Sequence, residues 1–344
     1  MGLESQTAYE QFLARHDAAA WTAALAELRP LIHEVDRNAV AIWFAFYPLL
    51  LQQALAAADD PARLAQKLLL QGKYLLRDQI DSSHTFLYGH RFWPQVKEVV
   101  AERATKDDDG VTAGLRSLVA ETQQLAGQVS GQVKADQSLV NGITFVALMT
   151  LRQVGLAAFK SAPGIVVRLD AKDARQTPEH ILRGRARDDS QGLLGNLLRT
   201  MDKVWTVVWN EHDPEARFKL MHRQEIATAA ATDQRDWSQA DARCTIGEGP
   251  IPVQCRSASC GTCWIGVLGG AEKLSDMSER ECRKLREFGY LDAADNDERP
   301  LIRLACQAQG GGALSVVIPP WNGVFGKDLA KVRESESEVQ SLSE

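Results

Sequence analysis

Apolar side chains recur at three- and four-residue spacing through most of the first two hundred positions, the interval that gathers them on one face of an α-helix. The stretches WTAALAELRPLI (21–32), HEVDRNAVAIWFAFYPLLLQQALAAA (33–58), PARLAQKLLLQGKYLLRDQI (61–80), VTAGLRSLVAETQQLAGQV (111–129) and QSLVNGITFVALMTLRQVGLAAF (137–159) all read as helices on this basis. Thr177-Pro178 and Asp189-Ser190 mark two more starts, with polar caps and a proline at a first helical position, ahead of EHILRGRA and QGLLGNLLRTM. The expectation is an all-α domain over residues 1–200.

At residue 203 the period changes. KVWTVVWN alternates large apolar side chains with others and is rich in β-branched and aromatic residues, which predicts a strand. After the turn EHDPEA the alternation resumes in ARFKLMH, giving a hairpin that feeds a helix over QEIATAAATDQRDW. CWIGVLGG, LIRLACQ and LSVVIPP read as further strands. SDMSERECRKLREFG reads as a helix among them, with Ser278 and Glu281 in capping-box spacing and Gly289 at its end. Residues 203–325 are expected to form an α+β domain, and the polar, acidic residues 326–344 a disordered tail. The fold class is then multi-domain, α plus α+β.

Composition narrows the function classes. The chain has 344 residues, enough for two cores, and a formal net charge of −6, which offers no basic face to nucleic acid. Its N-terminus lacks the basic region and apolar run of a secretory leader. The apolar run AVAIWFAFYPLLL (39–51) contains Pro48 and stops at Gln52, short of the about 20 residues a membrane span needs, so it reads as a buried helix broken near Pro48. A cytoplasmic protein without a transmembrane segment is expected, its cysteines serving as reduced thiols or metal ligands rather than disulfides.

Those cysteines are unevenly placed. All six (Cys244, Cys255, Cys260, Cys263, Cys282 and Cys306) lie in the last third, three of them inside CRSASCGTCW. Structural zinc commonly takes two separated CxxC-like pairs. The arrangement here, Cys255-x4-Cys260-x2-Cys263 with Cys306 far downstream, is instead the ligand spacing of plant-type [2Fe–2S] centres, where two irons need four thiolates. A tight loop can also aim backbone N–H groups at the sulfurs, and Ser257, Ala258, Ser259, Gly261 and Thr262 are small enough to let it close, with Gly261 expected at the closest approach. Cys282 reads as a small buried side chain or an inert thiol rather than a ligand, and Cys244 as a free loop thiol, with a spare or exchanging ligand as the alternative.

With these residues in view, 203–325 resembles the plant-type and adrenodoxin-like [2Fe–2S] ferredoxin family. The resemblance implies a β-grasp fold, iron ligation by Cys255, Cys260, Cys263 and Cys306, and one-electron transfer between protein partners at a low potential, on the order of −400 mV. Two departures are the extra sequence SQADARCTIGEGPIPVQ before the cluster loop and a long span between Cys263 and Cys306. Both bear on partner specificity rather than ligation. Arg256, beside a net-negative cluster, is expected to raise the potential.

The helical part carries one dense stretch, DSSHTFLYGHRFWPQVKE (81–98), with His84 and His90 among Phe86, Tyr88, Phe92 and Trp93. One reading is a second-cofactor site, since histidine and aromatics line haem pockets. The commoner use of such a cluster is core, with the histidines bonded locally, and there is no CxxCH for covalent haem attachment. His33 likewise reads as structural. RGRAR (183–187) reads as an exposed helix end, and Asp292, Asp295, Asp297 and Glu298 as a candidate docking patch. No dinucleotide-binding glycine fingerprint, P-loop or nucleophile elbow is present. The function expected is therefore an electron carrier whose helical domain serves partner docking or oligomerisation. The alternative is an electron-transfer subunit of a larger oxidoreductase whose helical domain holds a second cofactor or a partner subunit.

Overall fold

A computed structural model describes residues 6–106, 117–163, 176–186, 203–287 and 300–323 of the protein. Contacts within it gather into two units, one holding residues up to Gln53 with Leu75–Glu179, the other Ala54–Tyr74 with His180 onward. Residues 54–74, which sequence pattern places among the helices of the N-terminal domain, thus pack with the C-terminal one.

The chain begins with α1 (Ala8–Ala14), α2 (Ala18–Leu28), α3 (Glu34–Phe46) and α4 (Leu49–Ala57). Glu34–Ala57 is long and apolar enough by composition to cross a membrane, but it is two helices. Pro48 bars Tyr47 from helical geometry, and Tyr47 sits at φ −123°, ψ 62°. The break expected near Pro48 is where the sequence puts it. His33 is structural, its Nδ1 accepting the N–H of Val35 at 3.3 Å to cap α3.

Beyond α4 the expected single helix over 61–80 is replaced by three pieces. These are α5 (Pro61–Lys67), a two-residue strand β1 (Gln71–Gly72) and a 3-10 turn at Leu76–Gln79. Leu69 (φ 57°) and Gly72 (φ 77°) turn the backbone out of the helix. Helical periodicity fails here because β1 is recruited by a distant partner, described below.

The first unit then continues through α6 (Trp93–Thr105), α7 (Leu118–Val133), α8 (Gln137–Val154) and α9 (Leu156–Ser161). Helix α8 is its centre: every residue from Val140 to Leu151 is buried, and α1, α3, α6 and α7 pack around it. A Cβ on Gly142 would come 2.8 Å from Val40, so glycine sets how closely α3 and α8 approach. The long helix expected over 137–159 stops at Gly155 (φ 79°), after which the N–H of Leu156 is taken by Glu10 at 2.8 Å and α9 begins.

Helix α10 (Pro178–Ala186) starts at the predicted proline. Its RGRAR segment is not simply a solvated end: Arg185 is buried, forms a bidentate pair with Glu211 (2.7 and 2.9 Å) and lies across Gly269. The proposed helix over 191–201, Gly289, the acidic residues 292–298 and the tail 326–344 lie outside the described residues.

In the second unit β2 (Val204–Val208) and β3 (Arg217–Met221) form the predicted hairpin, with Trp205 and Val207 of β2 and Phe218 and Leu220 of β3 facing inward. The helix expected over 224–237 is shorter. It comprises β4 (Gln224–Glu225) and α11 (Ile226–Ala230), since Thr232 Oγ1 turns back to the Ala229 carbonyl and Asp233 takes the N–H of Arg235, local bonds that compete with helix. Then come β5 (Trp264–Gly269), α12 (Glu279–Glu287), β6 (Ile302–Leu304), β7 (Gln309–Gly310), β8 (Leu314–Val317) and β9 (Trp321–Asn322). The main sheet runs β3-β2-β8-β5-β6, mixed, with β2 and β8 parallel and the other neighbours antiparallel. Two small antiparallel pairs flank it, β4 with β7 and β1 with β9. Helices in one unit and a mixed sheet with helices in the other bear out the α plus α+β class.

Candidate metal centre

The loop 255–263 folds on itself because its backbone repeatedly enters the left-handed region, at Arg256 (φ 51°), Ala258 (φ 55°) and Gly261 (φ 72°). Glycine does so freely, but arginine and alanine pay for it, so the surrounding bonds hold them there. The result is a ring of N–H groups turned inward. Those of Ser257, Ser259 and Cys260 approach Cys255 Sγ at 3.5, 3.3 and 3.4 Å, and that of Ala258 donates to the Cys306 sulfur.

Cys306 arrives by strand register. Trp264 of β5 stands opposite Leu304 of β6, and the Ala305 N–H donates to the Cys263 carbonyl at 2.9 Å. Cys263 and Cys306, both buried, are thereby brought into hydrogen-bond contact through their thiols. Cys255 and Cys260 are half-buried. The loop and the turn after β6 thus bring Cys255 to Cys260 and Cys263 to Cys306.

The thiols differ in acidity for stated reasons. Burial raises Cys255, but hydrogen bonds from Ser259, Ser257 and Cys260 outweigh it and bring the thiol down to about 5. The bond from Cys263 lowers Cys306 to about 7 against the pull of burial, while sharing that bond and being buried pushes Cys263 well up. The two remaining cysteines stand apart. Cys244 is the free loop thiol expected, and it is buried, its Sγ 3.4 Å from the Pro250 carbonyl and raised to about 11 chiefly by burial. Cys282 lies on α12 and is half-buried, not buried.

Among the described residues no three His, Cys, Asp or Glu side chains surround one point closely enough to hold a single metal ion. A [2Fe–2S] group asks for a different arrangement, four thiolates shared between two irons. The donor set fits it: four sulfurs, with backbone N–H groups aimed at two of them and the Gln307 carboxamide 3.6 Å from Cys306.

Residues that sequence reasoning passed over support this loop from behind. The Glu281 N–H does bond Ser278 Oγ at 3.2 Å, but the Glu281 carboxylate leaves the expected capping box. It pairs instead with Arg303 (2.9 and 3.0 Å) and takes the Leu304 N–H at 2.8 Å, all buried, two residues before Cys306. Asn322 of β9 donates to the Thr262 carbonyl at 2.8 Å. The only sequence signal was indirect, an acidic residue on α12 and an arginine in an otherwise apolar strand. Arg256 is exposed and pairs with Glu248 at 3.7 Å.

The His84 and His90 site resolves into local bonding. Their Nδ1 atoms meet at 2.8 Å and His84 Nε2 lies 3.2 Å from the Ile80 carbonyl, so both ring nitrogens of His84 are engaged. Trp93 packs on the His84 ring and donates to Asp81, which also holds Lys97.

No protein-family model matches the chain, and no solved structure matches it.

Proposed function

We propose that the second unit is a β-grasp domain of the plant-type or adrenodoxin-like ferredoxin kind, and that the protein carries single electrons between partner proteins through a [2Fe–2S] cluster on Cys255, Cys260, Cys263 and Cys306. One observation carries the reading: in the loop 255–263 four backbone N–H groups converge on the sulfurs of Cys255 and Cys306. Donors so placed stabilise thiolate, the form that binds iron. The hairpin, the parallel β2–β8 pair at the sheet centre and the strand order β3-β2-β8-β5-β6 favour the same fold.

When bound, the cluster supplies a centre that takes up and releases one electron. The chain's own residues do the rest. The four thiolates hold the irons, the loop amides spread the negative charge, and the buried Trp264, Ala305 and Leu304 keep water from the inner sulfurs. Half-buried Cys255 and Cys260 leave the outer edge near the surface, where a partner protein approaches. The helical unit serves docking or oligomerisation in this reading, and the reduced thiols suit the cytoplasm.

An absorption spectrum of the purified protein tests it. Broad visible bands that bleach on reduction, with a rhombic EPR signal and two irons per chain, are expected. A colourless protein containing zinc overturns the reading.

A further inference from the structure

The sheet pair β1–β9 sits directly behind the candidate cluster loop. Gln71 and Gly72 pair with Asn322 and Trp321, and Lys73 donates to the Pro320 carbonyl at 3.0 Å. The fit is close: a Cβ on Gly72 would come 2.6 Å from the Pro320 oxygen, and one on Gly323 would come 2.3 Å from the Leu69 oxygen. Arg243 fastens the same turn by donating to the Pro319 carbonyl at 2.6 Å.

From this clamp two groups reach forward. Trp321 packs edge-on against Trp264, the residue after Cys263, at 5.4 Å between ring centres. Asn322 is buried and donates to the Thr262 carbonyl. Thr262 is the hinge of the loop, since its hydroxyl takes the Gln254 N–H at 3.1 Å and lies 3.1 Å from Cys260 Sγ. The Asn322 Oδ1 has no partner among the described residues, an arrangement with a desolvation cost that an apolar side chain would avoid. The amide N–H is thus what the position supplies.

We propose that the β1–β9 clamp sets the cluster loop, with Asn322 as its positioning residue acting through Thr262 on Cys260 and Cys263. The proposal rests on the ferredoxin reading for its consequence in cluster retention, though not for its geometry. It also gives residues 68–73 a role in the second unit that the C-terminal sequence does not contain: they complete the support of a site whose ligands all lie after residue 254.

The test uses full-length Asn322→Ala, Asn322→Asp and Gly72→Ala, with Lys67→Ala, exposed at the end of α5 and outside the β1–β9 pair, as control. Three quantities are read: iron release to a chelator, the midpoint potential, and amide hydrogen exchange of residues 257–262 in cluster-free protein. Loosening the loop withdraws N–H donors from the thiolates, so release and exchange are expected at least tenfold faster and the potential lower in the first three variants. Lys67→Ala should match the wild type. Should Asn322→Ala fail to fold, Asn322→Ser carries the same comparison. Unchanged exchange and unchanged iron release in the Asn322 variants overturn the proposal. A wild-type protein that binds no iron overturns the ferredoxin reading instead, and the exchange measurement then decides the clamp alone.

Discussion

The histidine cluster of the helical unit and the cysteine loop of the second unit use their hydrogen-bonding groups in opposite ways. In the helical unit the buried polar groups answer one another: His84 meets His90, Trp93 and Lys97 share Asp81, and Asp36 takes the N–H groups of Tyr88 and Gly89 at 2.7 Å each. These bonds fix the irregular segment 81–92 onto the helices. Around the cysteines, by contrast, donors converge on sulfur, a weak acceptor as a thiol and a strong one as a thiolate. A closed network specifies a fold, whereas donors gathered on ionisable sulfurs prepare a site for positive charge.

The largest expected effect breaks the second half of that contrast. Cys306→Ala should abolish the visible bands and bound iron while leaving the helical far-UV circular dichroism in place. Retained iron at wild-type stoichiometry would remove Cys306 from the ligand set.

Next in size is the buried pair behind β6. Glu281→Ala strands the Arg303 guanidinium and the Leu304 N–H, and about 3–5 kcal/mol of the second unit's stability should go with it. Urea unfolding followed by amide exchange of β6 measures this. The double variant Glu281→Leu/Arg303→Met should lose less than either single change, because no uncompensated charge stays buried.

A smaller effect sharpens the other half. His84 is held well below its ordinary 6.5, first by burial and then by the neighbouring His90. In the unfolded chain it takes a proton more readily, so its contribution to stability is complete above pH 6.5 and is lost as pH falls toward the folded value. The slope in that window is up to ~1.4 kcal/mol per pH unit. Amide exchange from α8 should show it, and His84→Gln should flatten it. An unchanged slope in that variant would assign the acid sensitivity elsewhere.

The smallest is electrostatic. Arg256→Ala should lower the midpoint potential only slightly, since the guanidinium is exposed and shared with Glu248. A redox titration showing no change or a rise would end the idea that this charge favours the reduced state.

Much of this was legible in the residues. The alternation in KVWTVVWN and ARFKLMH predicts the hairpin, and Pro48 and Thr177-Pro178 mark where helices break and begin. The thiol spacing names the candidate ligands, because three of them lie within nine positions of one loop. Glu281 shows the limit. Its spacing from Ser278 fits a capping box, and only the arrival of Arg303 and Leu304 draws its carboxylate away. Leu69 shows it again, for nothing within LLLQGKYLL tells that the helix yields to a strand.

The sequence by itself determined what depends on near neighbours: the helical and strand periods, the caps, and the three-plus-one pattern of thiols. Only the tertiary structure decided which distant segments stand behind those thiols. Two residues, Gln71 and Gly72, are too few to carry a period, and a left-handed backbone at Leu69 and Arg256 is unfavourable until something else holds it. The pairing of β1 with β9 follows directly on Leu69, and it exists only once two segments far apart in the chain have met.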